Sequence, residues 1–359
     1  MCKDDNESRM VAVGYRSALK SMGFDVLVYT PKTKLQTKDV IDKFDVDIIF
    51  TTCKYGLKQL PIEKINEQHI KVIVDVLPCK KSGLYIDGPY EQADQFDIEV
   101  VEKLNHVLLK TVIEPSLWDE YLSDWVSTGK SMCHTPYAGN LFVPQPRHFS
   151  NTFPLSFIGS FKNKRDRMKS HIMPIIHRLE FVGIPYDIIG DDSWSDFYIN
   201  GRKAFISEQE KSDYYGNSIV SPNFHSTKQI ETQAYLNERS FAIQLCGGLQ
   251  ITDMPLASSV FDNNVFVADT PAKFISLLED LMSNTNKRFD RIVQSVTNAA
   301  YNHTYFNRLH SIFSGLYMNE CAEKCDIDGK RLANLHIWSL EPKLKAAKAG
   351  EQYEPATKC

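Results

Sequence analysis

Arg239 stands in the stretch Tyr235-Leu-Asn-Glu-Arg-Ser-Phe-Ala-Ile-Gln-Leu-Cys-Gly-Gly-Leu-Gln-Ile-Thr-Asp253, and the chemistry this run of residues suggests is anion binding. Asn237 is a good N-cap, the run to Cys246 has helical composition, and Gly247 suits the left-handed position after a helix. Gly248 completes the turn, and Leu249 to Thr252 reads as a strand closed by Asp253. A helix start carries unpaired N–H groups and about half a positive charge. An arginine in its first turn makes a place for a phosphate or diphosphate; the alternative is a solvated surface cation.

Three further places carry candidate chemistry. Phe157-Ile-Gly-Ser160 reads as a strand ending in a small-residue turn, followed by cations at Lys162, Lys164 and Arg165. Strand ends are where α/β sheets bind ligands, and cations there favour anions; the plainer alternative is a solvent-facing basic turn. Asp191 and Asp192 follow another strand, with Trp194 just beyond and Asn223 and His225 after the apolar Ser218-Ile-Val220. Trp194 and His225 could flank a base or sugar, or Trp194 is core. Two adjacent acids without a third ligand make a poor metal site. Asp75 interrupts the apolar strand Val72-Ile-Val-Asp-Val-Leu-Pro78, and an acid there is costly to bury unless it is used or paired.

These residues need elements to hold them. Val11, Tyr15, Ala18, Leu19 and Met22 mark one helical face, ended by Gly23. Short β-branched runs at Val26–Tyr29, Val46–Phe50, Lys71–Val74, His106–Leu109 and Met132–Thr135 alternate with helical stretches, one of them Ser116–Trp125. That order is βαβ, hence a parallel sheet. The segment Asn140–Pro154 carries three prolines and no periodicity, which marks a connection between domains. The rhythm restarts at Leu155–Gly159, continues through a helical face from Met168 to Leu179, and returns to a strand at Tyr186–Gly190. The expected organisation is an N-terminal domain over 1–145, a C-terminal domain over 146–320, and a C-terminal helix and tail over 321–359. The chain opens on a helix rather than a buried strand, so either a first strand is lost or the sequence begins inside a longer protein.

Composition excludes several classes. Of 359 residues 43% are apolar and 24% charged, which is enough for a sizeable core. The formal charge of −4 gives no global positive field for a polyanion, although Lys54, Lys58, Lys80 and Lys81 keep a local basic face open. No apolar run reaches the roughly 18 residues of a membrane span. Eight scattered cysteines without a CxxC pair suggest reduced thiols and a cytoplasmic protein. Asp326-Ile-Asp-Gly329 is a fragment of a calcium loop and reads as a turn. GxGxxG, Walker, GxSxG and HExxH motifs are all missing, which disfavours common dehydrogenases, P-loop NTPases, serine hydrolases and zincins.

In order and spacing, Leu155-Ser-Phe-Ile-Gly-Ser160, Asp187-Ile-Ile-Gly-Asp191, Leu236-Asn-Glu-Arg-Ser-Phe241, Cys246-Gly-Gly-Leu-Gln-Ile-Thr-Asp253, Val260-Phe261 and His303-Thr-Tyr-Phe-Asn-Arg308 resemble the CgeB-like glycosyltransferases. Thr135 to Pro144 is similar to that family's entry into its interdomain linker. The resemblance implies the GT-B fold: α/β, with two Rossmann-like domains facing a cleft. It implies a sugar transferred from a nucleoside-diphosphate sugar to a glycan or other acceptor, with no bound cofactor or metal. Donor contacts would come from Ser160, Lys164, Arg165, Asp191, Trp194, Asn223, His225, Asn237, Arg239, Gly247, Gly248 and Asp253, and the catalytic group would be Asp75. The family usually has Arg-x-Phe-Glu before its Cys-Gly turn, the Glu accepting hydrogen bonds from the donor; here that position is Ala242. Losing such a bond costs about 1.5–3 kcal/mol, unless a neighbouring acid such as Glu238 takes its place. Two alternatives follow: a non-catalytic nucleotide-sugar or glycan binder derived from such an enzyme, and a transferase acting on a DNA base, which the net charge disfavours.

Overall fold

The structure is a computed structural model that describes residues 9–28, 37–53, 56–76, 93–147, 149–150, 153–159, 167–190, 194, 202–203 and 206–350. The chain divides into two compact units. Unit 1 comprises Met1–Tyr137 and Tyr305–Asp328, and unit 2 comprises Ala138–Thr304 and Gly329–Cys359. Among the described residues no helix is long and apolar enough to cross a membrane.

Unit 1 is built on four parallel strands in spatial order β1-β2-β3-β4: β1 (Ile48–Thr52), β2 (Lys71–Asp75), β3 (Val107–Thr111) and β4 (Ser131–His134). Every residue of β3 is buried, as a strand covered on both faces must be. The helix Arg9–Ser21 buries Tyr15, Ala18 and Leu19, the face its spacing predicts, with Met22 buried just past its end. It meets the helix Tyr305–Gly315 closely, because Gly14 has no side chain where the Tyr305 ring lies. Two expectations fail here. Val26, Leu27 and Val28 form no strand, and Leu27 and Val28 are more than half exposed, because β-branched composition makes a strand only where a neighbour pairs with it. The helix expected over Ser116–Trp125 is a short 3₁₀ turn (Pro115–Leu117) and two single turns (Trp118–Tyr121 and Ser123–Val126), parted at Leu122, whose backbone leaves helical geometry.

Unit 2 holds a six-stranded parallel sheet in spatial order β10-β9-β8-β5-β6-β7. The strands are β5 (Phe153–Ile158), β6 (Tyr186–Ile189), β7 (Arg202–Lys203), β8 (Ser218–Asn223), β9 (Gln250–Thr252) and β10 (Phe266–Val267). From β5 the chain builds outward through β6 and β7, then crosses to β8 and builds through β9 and β10 the other way. The order therefore reverses between β5 and β8, the place in a doubly wound sheet where crossovers part and leave a crevice at the strand ends. Phe157, Ile188, Val220 and Ile251 carry the sheet into one core with Ile175, Leu179, Phe274 and Leu278 of the flanking helices. Asp326 to Gly329 lie inside the helix Asn319–Ala349, not in a turn. Asp328 pairs with Lys324 one turn before it, and helix formers on both sides carry the segment through.

Candidate functional site

The C-terminal end of β5 is where Arg239 meets the sheet of unit 2. Gly159 continues the sheet by donating its N–H to the Ile189 carbonyl at 2.8 Å. A Cβ built on Gly159 would lie 2.1 Å from Nη2 of Arg239, so glycine is what lets the guanidinium reach the strand end. The guanidinium carbon stands 5.4 Å from the centre of the Phe157 ring. Its Nη1 is shut off from solvent and has no hydrogen-bond partner among the described residues. Burial lowers the Arg239 pKa, with Tyr215 and Asp253 acting the other way. A guanidinium does not lose its proton in practice, so the result is a charged donor awaiting an acceptor.

The helix that carries Arg239 (Arg239–Leu245) is fixed by buried polar contacts. Asn237 Oδ1 accepts from the Ser240 N–H at 3.1 Å, which is the capping contact its sequence position predicts. Asn237 donates to Asn223 Oδ1, and Asn223 donates to Ser240 Oγ and to Gln250 Oε1, tying the helix to the ends of β8 and β9. Gly247 takes φ +70° at the helix end, against the Phe149 ring, and Gly248 lies against Ile243 and Tyr215. Asn223, Gly247 and Gly248 are buried, so they shape the turn from within.

Beside it lies a buried ionic cluster. Asp253 accepts from the His225 N–H at 3.0 Å and meets His225 Nδ1 at 2.8 Å, while its Oδ2 accepts from Arg167 Nη1 at 2.6 Å. Burial alone would raise the Asp253 pKa; the hydrogen bond and charge of His225 and the charge of Arg167 outweigh it and hold the carboxyl below its usual range. Among the described residues no three His, Cys, Asp or Glu side chains gather to hold a metal.

Asn223, His225 and Asp253 lie at or just past the C-terminal ends of β8 and β9, and Asn237 and Arg239 at the start of the helix between them, whereas Gly247 and Gly248 lie past that helix's other end, ahead of β9. Trp194 is 1% exposed; its indole N–H donates to the Gly159 carbonyl at 2.8 Å, so it braces the turn from the core. Ser160, Lys164, Arg165 and Asp191 lie outside the described residues. Asp75 belongs to unit 1, at the end of β2, where Lys110 Nζ meets its Oδ2 at 2.7 Å. Two partners escaped the sequence reading, Arg167 and Lys110. Each offered a signal: Arg167 continues the basic turn after Arg165, and Lys110 interrupts an apolar strand exactly as Asp75 does.

Ala242 is half-buried on the helix, one turn after Glu238, whose carbonyl its N–H bonds. Glu238 Oε1 is buried without a partner among the described residues, and burial pushes that carboxyl up to about 7, with Lys211 opposing the rise and Glu208 adding to it.

Residues 169–314 match the model of a family described as glycosyl transferase-like. None of the curated proteins compared matches the chain in sequence. Among solved structures, T4 phage BGT in complex with its UDP-glucose substrate is similar with TM-score 0.53 and 12% identity, over 92% of this chain and 96% of that one. The DNA modifying enzyme beta-glucosyltransferase is similar with TM-score 0.52 and 12% identity, over 90% and 93%. TarM, from S. aureus, is similar with TM-score 0.50 and 11% identity over 77% of this chain, which spans only 57% of TarM. The fold is the α/β GT-B fold expected from the sequence, and the 169–314 stretch is similar to the glycosyl transferase-like family.

Proposed function

We propose that this protein is a glycosyltransferase that moves a sugar from a nucleoside-diphosphate sugar to an acceptor, with unit 2 holding the donor. The observation that carries this reading is the buried Nη1 of Arg239, without a hydrogen-bond partner among the described residues, at the strand end where the sheet order reverses and inside the stretch that matches the glycosyl transferase-like family. An anion is what that group lacks, and a diphosphate supplies one. UDP-glucose bound by T4 phage BGT supports the donor class. The motifs around Cys246-Gly-Gly248 favour a CgeB-like subfamily, and the lack of a disulfide among the described cysteines supports action in the cytoplasm.

Transfer breaks the bond between the anomeric carbon and the diphosphate oxygen, leaving the electron pair on the diphosphate. A preorganised guanidinium at that oxygen stabilises the charge most when the bond is breaking, which is how Arg239 accelerates the step. Ser160, Lys164, Arg165 and Asp191, which lie outside the described residues, are the further donor contacts that the family resemblance implies. Asp75 of unit 1 is the carboxylate we assign the catalytic part, a group of the type that accepts a proton from a hydroxyl.

Incubation with UDP-glucose, UDP-N-acetylglucosamine and GDP-mannose tests this reading: free nucleoside diphosphate should appear with at least one donor. Tight donor binding without release would instead favour a binder descended from an enzyme, to which Ala242 gives weight. Neither binding nor release would remove the transferase reading. A DNA acceptor is the second reading, favoured by the likeness to the DNA modifying enzyme beta-glucosyltransferase and opposed by the net charge of −4. Duplex DNA added to the same assay would raise release only under that reading.

A further inference from the structure

Buried parallel strands are usually apolar on both faces, because helices cover both. β8 and β9 depart from this on one face. Side chains two apart along a strand share a face, so Ser221 and Asn223 of β8 point the same way, and Gln250 and Thr252 of β9 stand beside them in register. All four are at most 1% exposed, as is Ser240 of the helix Arg239–Leu245, which meets this face through Asn223. The apolar residues Val220 and Ile251 go into the core with Phe274 instead. A buried amide or hydroxyl is costly unless it is hydrogen-bonded, and an apolar seam would hold a helix on a sheet at least as firmly.

Three of these polar side chains close a ring. Asn223 Nδ2 donates to Ser240 Oγ at 2.8 Å, Ser240 Oγ donates to Asn237 Oδ1 at 3.3 Å, and Asn237 Nδ2 donates to Asn223 Oδ1 at 3.0 Å. The bonds run in one direction round the ring, so each polarises the next. The second Asn223 proton goes to Gln250 Oε1 at 3.2 Å, which leaves Asn223 no N–H for a ligand. Asn237 and Ser240 stand on either side of Glu238 and Arg239 in the chain, so the ring ties the backbone that carries Arg239 to the end of β8. Among the described residues the guanidinium has the Phe157 ring and Gly159 beside it and no partner for Nη1, so its place is set through that backbone. Directional bonds fix a register more sharply than apolar contacts do, as one buried asparagine does in a coiled coil.

We infer that Asn223, Asn237 and Ser240 are the positioning residues of the donor site: their ring fixes the Arg239 guanidinium at the end of β5, where the diphosphate is received, and Asn223 itself does not touch the donor. This rests on unit 2 holding the donor, and it separates the group that meets the anion from the groups that aim it. The contact with the donor that the family resemblance implies for Asn223 is replaced by an indirect one, made through Arg239.

The test is calorimetric titration of UDP and GDP into wild type, Asn223→Ala, Ser240→Ala, Ser240→Thr, Arg239→Ala and the double variant Arg239→Ala/Ser240→Ala, each checked for its fold by circular dichroism. Whichever nucleotide the wild type binds, Asn223→Ala should bind it about tenfold more weakly and Ser240→Ala about fivefold more weakly. Ser240→Thr keeps the hydroxyl and should recover most of what Ser240→Ala loses. Added to Arg239→Ala, Ser240→Ala should cost nothing further, because the ring acts through the guanidinium. Ser240→Ala removes a single hydroxyl and serves if Asn223→Ala does not fold. Wild-type affinity in folded Ser240→Ala, an equal loss in the Arg239→Ala background, or a loss that Ser240→Thr does not recover would overturn the positioning role while leaving Arg239 in place. Full affinity in Arg239→Ala would overturn both. Binding of neither nucleotide by wild type would overturn the donor reading, and the role of the ring with it.

Discussion

The two units are both parallel α/β sheets, yet they treat charge at their strand ends in opposite ways. In unit 2 the strand order turns back between β5 and β8, and the guanidinium placed there, Arg239, keeps a buried donor without a partner among the described residues. In unit 1 the four described strands follow one another in a single direction, and the buried cation there, Lys110, is closed by a carboxylate in register beside it. An open cation and a closed one have different uses. In the proposed function the first takes an anion that arrives from outside; the second holds an anion that belongs to the protein.

Breaking the closed cluster of unit 2 should have the largest effect. Asp253 is shared by Arg167 and His225, and its side chain is fully buried. Asp253→Ala leaves those groups without their common acceptor and should cost about 3–5 kcal/mol in urea denaturation. A loss below about 1 kcal/mol, the worth of an exposed pair, would mean that the cluster is not what holds the ends of β8 and β9.

Ala242→Glu sharpens the comparison from the other side by adding an acceptor to the open site. Ala242 lies one turn after Glu238 and three residues after Arg239, so the new carboxylate would share a helical face with the donor that lacks a partner among the described residues. Under the transferase reading this should shift donor preference by about tenfold, the worth of one charged hydrogen bond, as judged by kcat/KM across a set of nucleotide sugars. An unchanged preference would place the sugar away from this helix.

The smallest effect expected is that of Glu238→Gln. Burial raises the folded-state pKa of Glu238 to about 7 from an unfolded value near 4.5, so the folded state holds the proton more tightly than the unfolded one. The stability this contributes is complete below about pH 4.5 and is lost as the pH rises through about 7. Glu238→Gln should therefore melt higher than wild type at pH 8 and no higher at pH 4. Equal differences at both pH values would show that the carboxyl is not desolvated.

Much of the fold could be read from the chain because apolar periodicity and glycine position act locally. The helical face of Tyr15, Ala18 and Leu19 and the left-handed Gly247 follow from their neighbours alone. What sequence could not supply was pairing between distant elements. Val26–Val28 has the composition of a strand, but composition does not say whether another strand lies alongside. The same reason hid Arg167 as the partner of Asp253, which lies 86 residues away, and Lys110 as the partner of Asp75. Both acids were visible as costly groups, while their counter-charges emerged only once the strands were in register. Trp194 shows the limit of residue type as a guide: an aromatic at a strand end suggests stacking on a ligand, and here it braces the Gly159 carbonyl from the core.

The central claim is that Arg239 receives a diphosphate, and calorimetric titration of UDP into wild type and Arg239→Ala tests it most directly. The wild type should bind, and Arg239→Ala, with its fold intact by circular dichroism, should bind at least about tenfold more weakly, as expected for loss of a charged hydrogen bond. Equal affinity in the two proteins would contradict the claim and place the nucleotide elsewhere.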